Sequence, residues 1–331
     1  MSTRRDPERR PSRRMRTRAI GLMLSIGIAA VLLGACQDLD PPLLPDLIQA
    51  PVGCAPATSV APGSCTAWDV CPVADAQNPH AACVRSGPIR QVRLRFTSSE
   101  ENVGDGPLLL YGHRDSTATP TMAVRQAVQP GYDATLPASF AAAQQALPGA
   151  SMYYEPAVMH QHWHLLDFDR FRLVGPDGTT LVTDRKTGFC LGDRYTSNDA
   201  YQLGYAPTDD GSPQDVLGNA LAHNDCKMHD PNALDVAEGI SVGSGDNYDY
   251  TVDFQWLDVT TVPSGTYTLV NTVNPDKQIQ EKDYDNDSSS IAISLTWPGG
   301  GPAPRTITAP PVVHLLRSCP GHATCTATDA S

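Results

Sequence analysis

The sequence predicts an all-β fold, an antiparallel β-sandwich with long loops. Its patterned segments are short runs of alternating polar and apolar residues, the period of a strand with one buried face. Turn-forming residues separate these runs, and the chain contains 29 Pro and 26 Gly. Short strands with frequent turns and few helix signals are typical of antiparallel sheets packed face to face. We therefore place one folded domain over residues 44–297.

Seven strands are predicted along this domain. In chain order they cover residues 91–97, 107–111, 160–166, 170–174, 251–261, 266–274 and 288–297. A turn at residues 176–178 follows the fourth strand, and Pro-Ser-Gly at residues 263–265 joins the fifth strand to the sixth. One short helix is predicted over residues 138–146, because Pro137 can occupy its first turn without losing a needed hydrogen bond.

Two regions lack a periodic pattern. Residues 190–240 are rich in Asn, Asp, Gly and Pro, and we predict a long loop there. Loops of this length in compact domains are usually functional or disordered. Residues 298–304 are rich in Pro and Gly, and little pattern follows them, so residues 298–331 are predicted to be a linker and a flexible tail.

Residues 1–35 have the features of a bacterial lipoprotein signal peptide. Eight arginines precede or adjoin residues 19–33, an apolar run shorter than a typical membrane span. The run ends in Leu-Gly-Ala-Cys, and Cys36 would take the lipid, with residues 36–43 as a tether. We expect an extracytoplasmic protein, lipid-anchored to the bacterial cell envelope at the outer membrane or cell surface. The alternative is an ordinary signal peptide that contains a cysteine.

The chain is acidic, with a formal net charge of −12. Residues 1–35 carry eight Arg, one Asp and one Glu, so their removal would change this charge to −18. Such a field repels nucleic acid, which we exclude as a partner, and attracts cations such as amines or basic proteins. The alternative is that the acidity only keeps an envelope protein soluble.

Eight of the nine cysteines remain when Cys36 is set aside, an even number for an oxidising compartment. None of these cysteines has the paired short spacing with histidines that marks a structural zinc site. We therefore predict disulfides. We expect Cys190 to pair with Cys226, and Cys319 with Cys325. The four N-terminal cysteines allow three pairings, which the sequence leaves open: they are Cys54, Cys65, Cys71 and Cys83.

Three histidines at alternate positions give the chain its strongest metal signal. In a strand, His160, His162 and His164 share one face, while Gln161 and Trp163 face away. Three neutral imidazoles suit a transition metal, and the spacing alone does not choose between copper and zinc. A flat strand spreads the first and third histidines over roughly 13 Å, so one ion can bind all three only if the strand twists or bends.

This motif and two downstream segments resemble the catalytic domain of the lysyl oxidase family. HQHWH at residues 160–164 is similar to the family's copper motif, and KTGFCL is similar to the segment with its cofactor lysine, here Lys186. Tyr248 matches the family tyrosine, eight residues before Trp256. Tyr250 is the rival phenol, but the ungapped register to Trp256 favours Tyr248. The likeness spans residues 44–297, and the chain is identified as a bacterial lipoprotein member of the family.

The resemblance implies a copper- and quinone-dependent amine oxidase. The three histidines would hold copper, and Lys186 and Tyr248 would be joined as lysine tyrosylquinone. This cofactor takes electrons from a primary amine, releasing an aldehyde and ammonia, and O₂ is reduced to hydrogen peroxide. The base that removes the amine's Cα proton should be a carboxylate or a histidine near the ring, and Asp253 is our candidate. A structural aspartate in a strand is the alternative for that residue.

The chain also departs from the animal members of the family. They carry cysteines at the positions of Met159 and Phe254, and a histidine at the position of Ala157. None of these groups is a copper ligand or a cofactor precursor in the family. We therefore expect the contacts that support the site to differ from those of the animal members, while the copper ligands and the cofactor precursors are kept.

An acidic turn late in the domain supplies the hard oxygen ligands that calcium prefers. The resemblance implies that this turn and the Leu-Pro-Asp-Leu motif at residues 44–47 surround a structural calcium. The implied ligands are Asp46, the Leu47 carbonyl, Glu281, Asp283, Asn286 and Asp287. A solvated acidic turn is the alternative.

The predicted function is oxidation of primary amines, including peptidyl lysine, to aldehydes with release of ammonia and hydrogen peroxide. Free amines and lysine-rich proteins are both possible substrates, and the sequence does not choose between them. The alternative from another class is a non-catalytic envelope lipoprotein, either copper-binding or adhesive, with a β-sandwich domain. The enzyme requires Lys186 and Tyr248 to be covalently joined, whereas the alternative does not.

Overall fold

The computed structural model describes residues 41–54, 65–131, 134–184, 186, 188–197, 200–204 and 206–326. These residues form eighteen β-strands, one α-helix and one 3-10 turn at Ala200–Gln202. The first nine strands are β1 Leu47–Gln49, β2 Trp68–Val73, β3 Gln91–Phe96, β4 Ser98–Asn102, β5 Leu108–His113, β6 Thr121–Gln126, β7 Gln145–Glu155, β8 His162–Leu166 and β9 Asp169–Val174. The others are β10 Thr180–Thr183, β11 Gly188–Phe189, β12 Tyr195–Thr196, β13 Asp235–Ile240, β14 Ser244–Tyr248, β15 Trp256–Asp258, β16 Gly265–Val273, β17 Ser288–Thr296 and β18 Val312–Cys319. The helix, α1, is Pro213–Ala222.

The strands make four sheets, and the pairs within them are antiparallel. The largest sheet has six strands in the order β11-β8-β7-β6-β5-β13, and the next has five in the order β10-β9-β16-β17-β18. A four-stranded sheet runs β1-β4-β14-β12, and a three-stranded sheet runs β15-β3-β2. The predicted all-β, antiparallel class is confirmed.

One apolar cluster lies between the sheets. Met152 from the six-stranded sheet, Leu173 and Leu269 from the five-stranded sheet and Leu94 from the three-stranded sheet all belong to it, each at most 3% exposed. The rings of Phe96 and Phe171 lie 5.0 Å apart and join the three-stranded and five-stranded sheets. Alternate residues of each strand supply this core, which is the packing of a sandwich-like domain.

Six of the seven predicted strands are present within two residues of their predicted ends. They are β3, β5, β8, β9, β16 and β17. The seventh, predicted over residues 251–261, is wrong in extent because only β15, Trp256–Asp258, is extended. Phe254, two residues before this strand, has a φ of 63° in the left-handed region, which interrupts an extended chain.

The helix predicted over residues 138–146 is wrong. A turn occupies residues 139–142, and β7 begins at Gln145. This strand pairs with β6 on one edge and with β8 on the other. The helix preference of a few alanines is a weak local term, and hydrogen bonding along two sheet edges overrides it.

Residues 190–240 are more ordered than the predicted long loop. Ser212 caps α1 by accepting a hydrogen bond from the Asp215 backbone N–H, and Pro213 occupies the first turn. Residues 235–240 form β13, which pairs with β5 at the edge of the six-stranded sheet. The predicted flexible tail is also wrong, because Val312–Cys319 is β18 and pairs with the open edge of β17.

The disulfide predictions for Cys190–Cys226 and Cys319–Cys325 are confirmed. The N-terminal cysteines pair in sequence order, Cys54 with Cys65 and Cys71 with Cys83. The predicted signal peptide, Cys36 and the start of the tether lie outside the described residues. Within the described residues, no helix is both long enough and apolar enough to cross a membrane.

Candidate active site

Three histidines converge at the start of β8. His162 and His164 are its first and third residues, and His160 lies two residues before it. One ligand atom from each histidine lies within 4.8 Å of those of the other two, and His162 Nε2 is 2.8 Å from His164 Nε2. Among the described residues, this is the cluster of His, Cys, Asp or Glu side chains close enough to hold a metal ion.

A break in the extended chain brings His160 into the cluster. Gln161 has a φ of 55°, in the left-handed region, so the chain turns just before β8. The strand therefore begins at His162 and not at His160 as predicted. The backbone O of Gln161 accepts a hydrogen bond of 2.7 Å from the His229 N–H, which holds the turn. The bend that the spacing of the three histidines requires is present.

Trp163 fixes the opposite face of the same strand. Its side chain is fully buried, and its Nε1 donates to the Asp230 carbonyl at 3.0 Å. The Arg114 guanidinium stacks 4.5 Å from the centre of the indole. Because this anchored indole prevents β8 from rotating, His162 and His164 are turned toward the other side.

Burial keeps the imidazoles neutral. Removal from water lowers the pKa of His160 to about 3 and that of His162 to about 4, and the pKa of His164 also lies well below its ordinary value. The charge of Lys186 acts in the same direction. Nε2 of His160 and the Nδ1 atoms of His162 and His164 are buried without a hydrogen-bond partner in the described part of the chain. Neutral imidazoles with unpaired nitrogens fit copper or zinc.

Lys186 lies against the ring of Tyr248. Its Nζ is 4.6 Å from the ring centre of Tyr248 and also 4.6 Å from that of Phe189. Nζ donates to the Gly188 carbonyl at 2.9 Å. The Tyr248 hydroxyl lies 2.9 Å from the Cys190 carbonyl and 3.1 Å from Asp246 Oδ2. The two proposed cofactor precursors are thus neighbours.

Strand pairing and one glycine set this arrangement. β11 pairs with β8, opposite Leu165 and Leu166, so the lysine segment runs beside the histidine strand. A Cβ on Gly188 would lie 2.5 Å from His164 Nδ1 and 2.9 Å from the Tyr153 ring. Gly188 is therefore required for β11 to approach β8 this closely.

The rival phenol occupies a different position. The ring of Tyr250 lies 5.5 Å from the Arg95 guanidinium, whereas the ring of Tyr248 packs against Lys186 and Phe189. The geometry thus agrees with the choice of Tyr248 over Tyr250.

Lys186 is a buried lysine surrounded by acids. Burial lowers its pKa to about 8, and the negative charges of Glu100, Asp169, Asp246 and Asp253 oppose this fall. Burial also raises the pKa of the Tyr248 hydroxyl well above its ordinary value. Of these acids, the sequence singled out only Asp253, because the others lie on separate strands and carry no motif.

Asp253 stands between two imidazoles. Its Oδ2 is 2.8 Å from His80 Nδ1 and 4.0 Å from His160 Nε2. Burial raises the pKa of this carboxyl, and the proximity of His80 lowers it in part. The structure thus brings the predicted base to the edge of the histidine cluster. Sequence reasoning missed His80, which lies 80 residues before the motif with no metal-ligand spacing around it.

A buried arginine positions the His80 segment. Arg93 Nη1 donates to the Pro79 carbonyl at 2.9 Å, and its Nη2 donates to the Asn78 carbonyl at 2.8 Å. The same guanidinium stacks 4.4 Å from the ring centre of Trp256. The Cys71–Cys83 disulfide closes the loop that contains His80. These contacts hold His80 beside Asp253.

The acidic turn assigned to calcium forms a second polar cluster. Asp46 Oδ1 accepts from Asn286 Nδ2 at 2.8 Å, and the Leu47 N–H donates to Glu281 Oε2 at 2.9 Å. Asn286 Oδ1 and Asp287 Oδ1 are buried without a hydrogen-bond partner in the described residues. Asp283 acts on this cluster through its charge, which raises the pKa of Asp46 and Asp287. The structure does not gather these carboxylates as tightly as the three histidines.

Burial raises the pKa of the acids in this turn. The pKa of Glu281 rises to about 8 and that of Asp287 to about 7. Repulsion between neighbouring carboxylates adds to the effect of burial in both cases. Buried acids that repel one another are stabilised by a bound cation, so the cluster fits an oxygen-ligated ion.

Comparison with known proteins agrees with this geometry. Residues 141–297 match the family model described as lysyl oxidase. Lysyl oxidase homolog 2 of Gallus gallus is 29% identical over 129 residues, which are 39% of this chain and 13% of that protein. Lysyl oxidase homolog 3 of Homo sapiens is 28% identical over 130 residues, which are 39% of this chain and 14% of that protein. The match thus spans about an eighth of each relative.

The matched region contains the residues that build the site. His160, His162, His164, Lys186 and Tyr248 all lie within residues 141–297. The family model does not reach residues 44–140, so the likeness upstream of it stays a prediction. Residues 141–297 are therefore similar to the lysyl oxidase family in sequence.

Proposed function

We propose that the chain is a copper-dependent amine oxidase that converts peptidyl lysine or other primary amines to aldehydes, with release of ammonia and hydrogen peroxide. The observation that carries the proposal is the 4.6 Å between Lys186 Nζ and the ring centre of Tyr248, beside a three-histidine cluster. A buried position over a tyrosine ring is unfavourable for a lysine, because burial of its charge is costly. A purely structural role therefore does not account for it. Formation of a cross-link from the two side chains explains the arrangement.

The three histidines would hold the copper. The convergence of one nitrogen from each ring within 4.8 Å, together with the low pKa values, supports a bound metal. With O₂, copper would supply the oxidation that joins Lys186 and Tyr248 in lysine tyrosylquinone, and this cofactor would supply the electron sink for amine oxidation. The protein's own part is to hold the lysine amine over the ring and keep the ligands neutral.

Lys186 must be neutral before its amine can act as a nucleophile. Burial lowers its pKa to about 8, so a larger share of the amine is neutral at pH 7 than for an exposed lysine. Burial also shields the amine from bulk water. Both effects support the role of Lys186 as a cofactor precursor.

Asp253 is proposed as the base that removes the Cα proton of the substrate amine. Its carboxyl is 4% exposed and lies at the edge of the histidine cluster. His80 Nδ1 lies 2.8 Å from one of the carboxylate oxygens, and this contact fixes the orientation of the carboxylate. A general base near the reacting centre needs this kind of fixed position and a raised pKa.

The substrates are proposed to be cationic. The acidity of the chain supports attraction of free amines or lysine-rich proteins at an envelope site, with Cys36 as the lipid anchor. Surface attraction is screened within about 8 Å at physiological ionic strength. We therefore expect polylysine and cadaverine to be oxidised faster than benzylamine at low salt, with a smaller difference at high salt.

The acidic turn is proposed to hold calcium through Asp46, the Leu47 carbonyl, Glu281, Asp283, Asn286 and Asp287. Unpaired oxygens on Asn286 and Asp287 support this ion rather than a solvated turn. The site would brace the segment that begins the folded domain against the loop before β17.

Peroxide release and mass spectrometry test the oxidase. Copper-loaded protein should release peroxide with primary amines and should yield a peptide in which Lys186 is linked to Tyr248. Lys186→Arg and Tyr248→Phe should lose both, while Tyr250→Phe should keep both. A folded Lys186→Arg protein that still releases amine-dependent peroxide would contradict the assignment. Copper binding without a cross-link would instead favour the non-catalytic lipoprotein.

A further inference from the structure

Tyr153 and Glu155 are two half-buried residues of β7 that the proposed reaction does not use. In the β7–β8 pairing, Tyr153 is directly opposite His164, and Glu155 is directly opposite His162. Residues that face each other across antiparallel strands point to the same side of the sheet. Both side chains therefore lie on the side of the sheet that carries these two histidines.

The ring of Tyr153 packs against one member of the histidine cluster. Its centre is 5.6 Å from that of the His164 ring, and the two rings meet edge to face. The same ring lies close to Gly188, where an added Cβ would be 2.9 Å from it. Tyr153 therefore fills the space between the His164 imidazole and the lysine segment, and its ring restricts the rotation of that imidazole.

Glu155 connects this tyrosine to the turn that leads into His160. Its Oε2 accepts a hydrogen bond of 2.7 Å from the Tyr153 hydroxyl, and its Oε1 accepts one of 2.9 Å from the Ala157 N–H. The Ala157 carbonyl in turn accepts from the His160 N–H at 2.9 Å. One carboxylate thus links the ring beside His164 to the backbone that carries His160.

The apolar side chains of this turn do not anchor it. Val158 is 79% exposed and Met159 is 57% exposed, so neither packs into the core. His160 is nevertheless buried, with its ring centre 4.9 Å from that of His164. The bend at Gln161 holds the chain after His160, through the hydrogen bond from the His229 N–H. On the other side of His160, the contacts of Glu155 hold it.

We propose that Tyr153 and Glu155 are positioning residues for the metal ligands. Glu155 holds the turn that carries His160, and Tyr153 holds both Glu155 and the ring of His164, so the pair sets how closely His160 approaches the two histidines of β8. This inference rests on the part of the proposed function that places copper at the histidines, and not on the cross-link or on amine oxidation. Contacts that orient metal ligands in this way contribute strongly to metal affinity.

Copper binding by the full chain tests the proposal, through competition with a chelator and the Cu(II) EPR spectrum. Glu155→Ala should lower copper affinity by about tenfold and change the copper hyperfine splitting, because His160 is no longer held beside the other ligands. Tyr153→Phe keeps the ring against His164 and loses only the hydroxyl, so its effect should be smaller. In the double variant, Tyr153→Phe should add nothing to Glu155→Ala, because the hydrogen bond between the two residues is already absent.

Two control variants separate position from other effects, and both should keep the wild-type affinity and spectrum. Tyr154→Phe removes a hydroxyl from the same strand, but Tyr154 is opposite Trp163 and packs against that ring. Asp225→Asn removes a charge: burial lowers the pKa of His162, and the charges of Asp225 and Glu155 both oppose this fall. Its Oδ1, which accepts from the Lys227 N–H, is kept in asparagine. If Asp225→Asn weakens copper binding as much as Glu155→Ala, charge explains the effect and the proposal is wrong.

Thermal unfolding of the metal-free protein distinguishes positioning from stability alone. If Glu155→Ala unfolds at a lower temperature but binds copper with the wild-type affinity and spectrum, the pair only stabilises the fold and the proposal fails. Glu155→Gln is the conservative variant, because its single amide oxygen can accept from only one of the two donors. Its affinity should lie between those of wild type and Glu155→Ala. If Glu155→Ala does not fold, Glu155→Gln decides, and a wild-type affinity and spectrum in it would overturn the proposal.

Imidazole ¹⁵N NMR of the metal-free chain separates this inference from the proposed function. The chain has nine histidines, so the signals can be assigned by substitution. The signals of His160 and His164 should shift in Glu155→Ala and Tyr153→Phe, and stay unchanged in Tyr154→Phe. If these shifts appear but the wild type binds no copper, the proposed function is wrong and the placement of the histidines by the pair stands. If the wild type binds copper but neither the shifts nor the loss of affinity appears, this inference is wrong and the proposed function stands.

Discussion

The histidine–lysine–tyrosine site and the acidic turn at residues 281–287 are both buried polar clusters, but burial prepares them in opposite ways. At the first, it lowers the pKa of three histidines, and each imidazole has one nitrogen without a hydrogen-bond partner in the described part of the chain. At the second, it raises the pKa of Glu281 and Asp287, so neighbouring acids hold protons that a cation would displace. The first cluster is therefore ready to bind a metal, whereas the second must exchange protons for its ion.

Loss of a histidine should produce the largest effect. His164→Ala removes a buried ligand, and we expect copper affinity to fall by more than the roughly 10–100-fold typical of losing an outer partner of a metal ligand. Competition titration with a copper chelator measures the change. His223→Ala is the control, since His223 is exposed and its Nδ1 is hydrogen-bonded to the Asn219 carbonyl. Equal copper affinity in His164→Ala and wild type would remove the histidines from the site.

Calcium should stabilise the protein above neutral pH. Because Glu281 and Asp287 have raised pKa values when folded, their contribution to stability is complete only below the ordinary carboxyl pKa of about 4. It is lost as pH rises from there through about 7 to about 8. Calcium at 100 times its Kd would restore about 2.7 kcal/mol. Thermal unfolding at pH 5 and pH 8, with calcium and with chelator, measures this.

The variant for this test is Asp287→Ala, and the control is Asp177→Asn at an exposed turn. Asp287→Ala should lose the calcium effect at pH 8, while the control should keep it. A calcium effect that is equal in both variants, or absent in wild type, would mean that the turn is only solvated.

Gly188→Ala should disturb the first cluster through packing alone. The added Cβ would lie 2.5 Å from His164 Nδ1 and 2.9 Å from the ring of Tyr153. Overpacking of this kind costs about 1–3 kcal/mol, and we expect lower thermal stability and weaker copper binding. Gly204→Ala is the control, because a Cβ there would have no neighbour within 4 Å among the described residues beyond those next to it in the chain. Unchanged copper binding in Gly188→Ala would show that β11 can move away from β8 without cost to the site.

His80→Ala should have the smallest effect on metal binding. It leaves the three histidines intact and removes the contact that orients Asp253. We expect copper affinity to change by about tenfold or less, as for an outer partner. The rate of amine oxidation should fall more than the affinity, because the proposed base is no longer held. Peroxide release at saturating copper measures this, and a fall in affinity without a fall in rate would argue against Asp253 as the base.

The sequence predicted the strands in which polar and apolar residues alternate regularly. It missed the strands whose formation depends on pairing with a neighbouring strand. β3, β9, β16 and β17 follow from their own two-residue pattern. β7 and β18 do not, because a sheet edge was available to an alanine-rich segment and to the chain end. Local propensity is a weak term, and hydrogen bonding to a neighbouring strand decides such segments.

For the site, the sequence by itself predicted the three histidines, Lys186 and Tyr248, because segments that resemble family motifs carry them, and it offered Asp253 as a candidate base. Only the tertiary structure decided that Gln161 bends the chain, that His80 reaches Asp253, and that Glu100 lies opposite Asp246. The reason is distance along the chain: Glu100 and His80 lie more than 80 residues before Lys186. Strand pairing places Glu100, and the Arg93 contacts and the Cys71–Cys83 disulfide place His80. Burial then sets the pKa values, and burial is a property of the fold and not of any motif.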